Sequence, residues 1–122
     1  MASIIQANIV TFKAGGAISK GMAVKMGADN QHVVVCTAKT DKSIGVAQGD
    51  ASAAEDAIEV AVCGGGAKGK AGGSISAGDL VSPTTDGSLI VTTTAGDRYV
   101  GIAMEDASSG DIFSVQMSPG LI

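Results

Sequence analysis

Hydrophobic and polar residues alternate with a period of two in the two segments 57–62 and 111–117. Because the side chains of a strand point alternately to its two faces, this pattern predicts strands with one buried face. The predicted inward residues are Ile58, Val60, Val62, Phe113, Val115 and Met117, and the predicted outward residues are Glu59, Ser114 and Gln116. Runs rich in Val, Ile and Thr at 32–37 and 88–93 also predict strands. Helical periodicity is nearly absent, so we predict an all-β protein, either a small β-barrel or a β-sandwich.

The chain repeats itself with a spacing that drifts from 57 to 55 residues. The matching segments are 16–24 with 73–81, 44–47 with 100–103, and 58–62 with 113–117. Loops tolerate small changes in length, so a drifting offset is typical of a duplicated unit. We therefore predict one β domain over 15–122, built from two internal repeats at 15–65 and 72–120 with a glycine-rich junction at 64–73.

Residues 1–14 stand outside this repeat, and apolar side chains occur on both faces of the segment. One interpretation is an edge strand of the same domain. The other is an N-terminal arm that adds to a neighbouring chain, in which Ile4, Ile5, Ile9 and Phe12 would bind the partner. Under the second interpretation, a chain without residues 2–12 would lose partner binding and keep a folded β domain.

Composition excludes several classes of function. The net charge of −4 argues against a duplex nucleic acid partner, because phosphate neutralisation needs a basic surface. With no Trp, one Tyr and two Phe, the chain lacks the aromatic platforms that stack on bases or sugars. Neither a signal peptide nor an apolar run of about 18 residues is recognisable, so we expect no membrane association.

The segment 64–70 fits the phosphate-loop pattern G-x-x-x-x-G-K. Ala71 replaces the Ser or Thr that would bind Mg²⁺, and Gly72 and Gly73 prevent the helix on which such a loop depends. We interpret the segment as a flexible junction. Lys25 and Lys42 superficially resemble the modified lysines of biotinyl and lipoyl carriers, but neither lies on a turn at the repeat centre.

Acidic residues and the single histidine, His32, offer no assembled active site. The acidic candidates are Asp50, Glu55, Asp56, Glu59, Glu105, Asp106 and Asp111. Those in matched loops of the two repeats are predicted to accept backbone hydrogen bonds in turns. Cys36 and Cys63 match no metal spacing and are predicted to be small buried hydrophobic residues that hold no metal or other cofactor.

The repeated motifs are similar to those of the head decoration, or cement, proteins of tailed bacteriophages, a small Ala/Gly-rich family. The similarity is carried by Gly-x-Ile-x-x-Gly-x-x-Val, Ile-Gly-Val-Ala and Ile-Glu-Val-Ala-Val, and it extends from Gly15 to Gly120. The resemblance implies a virion protein, made in the host cytoplasm and commonly trimeric, on the capsid exterior. There it would clamp adjacent subunits of the major capsid protein. It supplies no catalytic residues.

Three functions follow in order of preference. The first is a structural virion protein that binds the capsid exterior and stabilises the major capsid protein lattice as a homotrimer. The second is a phage-surface adhesion module for host glycans. The third is an enzyme or carrier that uses Lys25, Lys42 or the loop 64–70.

Overall fold

The structure, a computed structural model, describes residues 8–27, 29 and 31–122, and in these residues it is all-β. The strands are β1 (Ile9–Ala14), β2 (Ala23–Met26), β3 (His32–Val35), β4 (Ser43–Ala47), β5 (Ala57–Ala61), β6 (Gly65–Lys70), β7 (Leu80–Pro83), β8 (Leu89–Val91), β9 (Arg98–Ala103) and β10 (Ile112–Leu121). The predicted fold class is therefore confirmed, and a barrel is present in the first half.

Strands β1 to β5 close into a barrel in the order β1-β3-β2-β4-β5. Closure requires β1 to pair with β5 in antiparallel and with β3 in parallel orientation, the latter through Lys13 with His32 and Ala14 with Val33. The barrel is filled by small and β-branched side chains: Ala14, Ile18, Val24, Val33, Ala47, Ala51, Ile58 and Val60. Each buried Val or Ile contributes about 1.5–3 kcal/mol, and the partly buried Phe12 packs against the same cluster.

Strands β6 to β10 form a second sheet in the order β6-β10-β9-β7-β8. Its ends, β6 and β8, approach each other only at the parallel bridge between Ala71 and Leu89. The sheet therefore has an open seam where the first half has a closed barrel wall. The larger core cluster fills this sheet and includes Ala23, Val46 and Ala61 from the first half.

The two halves have the same strand order and the same loop hydrogen bonds. The bridge between Ile18 and Ala51 in the first half corresponds to that between Ile75 and Ala107 in the second. The bond from the amide of residue 21 to the carbonyl of residue 47 corresponds to that from 78 to 103, and each measures 2.8 Å. In this correspondence β6 occupies the place of β1, and β8 occupies the place of β3.

The structure differs from the sequence interpretation at the N-terminus and at the junction. Residues 9–14 form β1, a wall of the closed barrel, with a counterpart in β6, 57 residues further on. Residues 65–70 of the predicted flexible junction are the strand β6, which pairs with β10 over six residues. Pairing with the amphipathic β10 orders a segment that is itself mostly glycine, alanine and lysine.

Gly45 on β4 and Gly101 on β9 let a neighbouring strand approach closely. A glycine flanked by β-branched residues on a strand is typical of either a bulge or a close backbone crossing, and here the close crossing is present. A Cβ atom at Gly45 would collide with the carbonyl oxygen of Ala61. One at Gly101 would collide with that of Gln116. Both collisions are with backbone, which cannot rotate away.

The inward residues of β5 and β10 are placed as predicted, with Ile58, Phe113 and Met117 buried. Ser114 is an exception, because it is buried although its position in the alternation is outward. Its hydroxyl accepts a 2.8 Å hydrogen bond from Lys68 Nζ. The lysine side chain from β6 therefore covers it.

Candidate functional site

The predicted partner-binding residues fall into two groups. Ile4 and Ile5 lie outside the described residues. Ile9 and Phe12 lie on β1 and are partly buried, Ile9 against the core of the second sheet and Phe12 against that of the barrel. Both side chains therefore contribute to the packing of the domain itself.

A polar cluster surrounds His32 at the β1–β3 side of the barrel. His32 Nδ1 lies 2.8 Å from Asp29 Oδ1, and Nε2 lies 2.7 Å from Glu55 Oε1. Carboxylates only accept hydrogen bonds, so both contacts are satisfied by the doubly protonated ring, which donates from each nitrogen. Lys13 Nζ approaches Glu55 Oε2 at 3.9 Å. With both nitrogens engaged, His32 is neither a free base nor a metal ligand here.

The same contacts set the charge states of the cluster. Hydrogen bonds, chiefly to Asp29 and then to Glu55, raise the pKa of His32 above its ordinary value of 6.5. The bond to His32 is the main cause that lowers the pKa of Asp29 below 3.8. The histidine contribution to stability is thus complete below pH 6.5 and is lost as pH rises through the raised pKa. The aspartate contribution is present above pH 3.8 and is lost as pH falls.

The lysines considered from the sequence occupy ordinary positions. Lys25 Nζ donates a 3.1 Å hydrogen bond to Asp41 Oδ2, and both side chains are partly buried. Lys42 is exposed at the rim of a shallow surface groove near Tyr99. The segment 64–70 that resembles a phosphate loop is mainly strand β6, whose backbone is paired with β10.

The matched acidic residues accept backbone hydrogen bonds, as predicted. Asp50 accepts from the amide of Lys20 at 2.7 Å, and Asp106 accepts from that of Ala77 at 2.9 Å. Asp56 and Asp111 each accept at 3.0 Å from the serine amide that begins their loop. Within the described part of the chain, no group of three or more His, Cys, Asp or Glu is arranged to hold a metal ion.

The cysteines differ from each other. Cys36 is buried, and burial raises the pKa of its thiol to about 12. Cys63 is exposed, so the prediction that both are buried is wrong for this residue. Cys63 lies two residues beyond the end of β5, at a position that the alternation of Ile58, Val60 and Val62 places on the outward face.

Exposed apolar side chains on the second sheet were not predicted. Ile102 on β9 is 38 % exposed, and Met104, directly after β9, is 42 % exposed. Leu80, the cross-strand partner of Ile102 on β7, is half-buried. The corresponding residues of the first half, Val46 and Gln48, are buried and partly buried. Sequence alone does not distinguish the exposed positions from these covered ones.

These features define a small all-β protein with exposed apolar side chains, such as Ile102 and Met104, on its second sheet. Among the residues that the structure describes, there is no helix with the length and apolar character needed to span a membrane. A family model of phage cement proteins matches residues 8–118, and the chain belongs to this family. It is thus a structural, virion-associated phage protein with a role at the capsid.

A solved structure supports the fold. The chain resembles the N base of the head fiber gp8.5 of bacteriophage phi29 with a TM-score of 0.72 and 17 % sequence identity, over 95 % of each chain. At this identity the likeness shows a shared fold. Among curated proteins, no relative matches the sequence.

Proposed function

We propose that the protein binds the outer surface of the phage capsid as a homotrimer and stabilises the lattice of the major capsid protein. The family match over 8–118 carries the proposal, because it includes both halves of the fold. The histidine and the matched carboxylates described above are engaged in structural hydrogen bonds. The exposed apolar side chains of Ile102 and Met104 are suited to protein contacts.

The physical basis of lattice stabilisation is mass action. A protein that binds the assembled shell, and free subunits only weakly, shifts the equilibrium towards the shell. Three linked copies raise the effective concentration of each contact, so modest contacts suffice for firm attachment. The proposal requires no catalytic group or cofactor.

Co-sedimentation with capsids that lack this protein tests the proposal. We expect saturable binding at a fixed number of copies per capsid, together with much weaker binding to unassembled major capsid protein. Capsids that already carry the protein serve as the control and should bind little more. Absence of binding to assembled capsids would refute the proposal, and specific binding to host glycans would favour an adhesion module.

Of the four residues predicted to contact the capsid, only Ile4 and Ile5 remain in the proposal, because Ile9 and Phe12 pack within the domain. Removal of residues 2–12 would delete four residues of β1 and the Phe12 side chain from the barrel core, so this variant is expected to unfold. Removal of residues 2–7 leaves β1 complete. We expect the shorter deletion to fold and to lose capsid binding, and binding equal to that of the full chain would exclude Ile4 and Ile5 as contacts.

A further inference from the structure

The two halves share one backbone arrangement, at the end of β1 in the first half and at the end of β6 in the second. The amide of Ala14 donates to the carbonyl of Asp56 at 2.8 Å, and residues 71 and 111 form the same bond at the same length. In return, the amides of residues 55 and 110 donate to the carbonyls of residues 14 and 71, again at 2.8 Å. These bonds and their neighbours match the following residues of the two halves: Lys13 with Lys70, Asp29 with Asp86, His32 with Ser88, and Glu55 with Gly110.

In the first half, two side chains meet across the end of β1. His32 on β3 and Glu55 in the loop before β5 flank this strand, and the ring of His32 lies 2.7 Å from Glu55 and 2.8 Å from Asp29. Glu55 has a φ angle of 75°, and it is the only non-glycine residue with a positive φ angle in the described part of the chain. This backbone conformation is unfavourable for a residue with a Cβ atom. Its counterpart, Gly110, has a φ angle of 90°.

The second half lacks both side chains, and a groove of about 400 Å³ lies in their place. Its walls are the end of β6, the turn before β8 and the loop before β10, which match the elements around His32 and Glu55. Lys70, Ser88 and Gly110 are among the lining residues. Because glycine has no side chain, nothing in the second half corresponds to the contact between His32 and Glu55.

Lys70 brings an unpaired positive charge to this groove. It forms no salt bridge with the residues that the structure describes, whereas its counterpart Lys13 lies 3.9 Å from Glu55. The ammonium group is therefore available to a carboxylate from outside the chain. A carboxylate placed above Gly110, as that of Glu55 is placed in the first half, would be near it.

Asp86 brings a negative charge to the same groove. Hydrogen bonds, chiefly from Ser88 and then from Thr84, lower the pKa of Asp86 to about 2, so the carboxylate is ionised at neutral pH. All of these bonds reach Oδ1, and Oδ2 has no donor among the described residues. In the first half, both oxygens of Asp29 contact the ring of His32, at 2.8 and 2.9 Å. A cation placed as that ring is would meet Oδ2 of Asp86.

We propose that the groove receives one basic and one acidic side chain from a protein loop on the capsid surface, which together take the places of His32 and Glu55. The basic group binds Asp86, and the acidic group binds Lys70. Exposed ion pairs are individually weak, so a loop with further contacts around it fits the groove better than a free small molecule. This inference rests on the proposed function and names a surface through which the chain would bind the capsid.

Filling the groove from within the chain tests the inference. Gly110→Glu, alone and combined with Ser88→His, rebuilds the side chains of the first half in the second. We expect these variants to bind capsids at least about tenfold more weakly in co-sedimentation. Gly96→Glu is the matched control and should bind as the wild type does, because Gly96 has a φ angle of 95° and a Cβ atom at either glycine meets nothing within 4 Å.

A second pair of variants changes the charge and leaves the backbone unstrained. Lys70→Gln removes the cation of the groove and should weaken capsid binding in the same direction. Lys13→Gln makes the same change at the matched position of the first half and should leave capsid binding unchanged. Circular dichroism checks that each variant is folded. Equal losses from the two variants would overturn the assignment of binding to the second half.

A peptide titration tests the groove without capsids. The capped dipeptide acetyl-Arg-Glu-amide carries one basic and one acidic side chain, and acetyl-Gln-Gln-amide is the uncharged control. We expect the charged peptide alone to shift the amide NMR signals of Ser109 and Gly110, and the variant with Gly110→Glu and Ser88→His to show no such shift at the rebuilt site.

The outcomes separate this inference from the proposed function. If the wild-type chain binds capsids and the filled variants bind equally well, the groove is not the contact and the capsid role stands. If the wild-type chain binds no capsids, the proposed function fails and the peptide titration decides the groove. In that case a shift confined to the charged peptide supports the groove as a site for paired charges, and its absence overturns it.

Discussion

Substitution of Gly101 by alanine probes the close packing of β9 against β10. The added Cβ atom would collide with the carbonyl oxygen of Gln116 and lie 2.9 Å from Cγ1 of Val115. The carbonyl belongs to the backbone of the longest strand, so the two strands would have to separate. Gly45→Ala creates the corresponding collision with Ala61 in the first half.

The expected loss can be estimated from this geometry. Overpacking a well-packed core costs about 1–3 kcal/mol and occasionally more. Stretching one or two ladder hydrogen bonds adds about 1 kcal/mol. We therefore expect Gly101→Ala to reduce the free energy of unfolding by about 3 kcal/mol and Gly45→Ala to have a similar effect. In a domain of this size that corresponds to a fall in Tm of about 10–15 °C.

Thermal and urea unfolding, followed by circular dichroism, measure the effect. Gly49→Ala is the matched control, because a Cβ atom there would meet nothing within 4 Å. We expect this control to unfold within about 1 kcal/mol of the wild-type chain. If Gly101→Ala were as stable as Gly49→Ala, the close approach of the strands would be refuted.

Three further predictions concern the polar cluster, the thiols and the core. The Tm of the wild-type chain should fall as pH rises from 6 to 9 through the raised pKa of His32, whereas His32→Gln should be nearly flat; parallel profiles would contradict this. A thiol reagent at pH 8 should modify Cys63 alone in the folded chain, because Cys36 is buried with a pKa of about 12; two modified thiols would contradict it. Leu89→Ala should cost about 2–5 kcal/mol in unfolding experiments because Leu89 is fully buried. Leu121→Ala, at an exposed position, should cost less than about 0.5 kcal/mol, and equal losses would refute the assignment of the core.

Much of the fold can be predicted from the sequence, because the signals are local. Period-two alternation predicts β5 and β10, and a glycine among β-branched residues predicts either a bulge or a close approach at Gly45 and Gly101. These signals depend only on which face of a strand is buried and on the absence of a Cβ atom. The matched acidic turns are likewise local, since each carboxylate bonds an amide of its own or a facing loop.

The rest depends on partners distant in sequence. Strand β6 has no apolar alternation, and its pairing is imposed by β10. The sequence does carry one signal that β1 belongs to the repeat, because residues 13–16 and 70–73 are both Lys-Ala-Gly-Gly. Ser114 is buried by a lysine from another strand. Likewise, His32 meets Glu55 only because the barrel brings the start of β3 close to the loop before β5. The exposed row at Ile102 is a property of how the two halves pack, which sequence periodicity does not report.

The role of the protein at the capsid is tested most directly by the thermal stability of the shell itself. Capsids that lack the protein would be heated in a scanning calorimeter with increasing amounts of the wild-type chain. A ligand at 100 times its Kd stabilises the state it binds by about 2.7 kcal/mol per site. We therefore expect a disruption temperature that rises and then saturates with occupancy. A shell that binds the protein to saturation and melts at an unchanged temperature would contradict it.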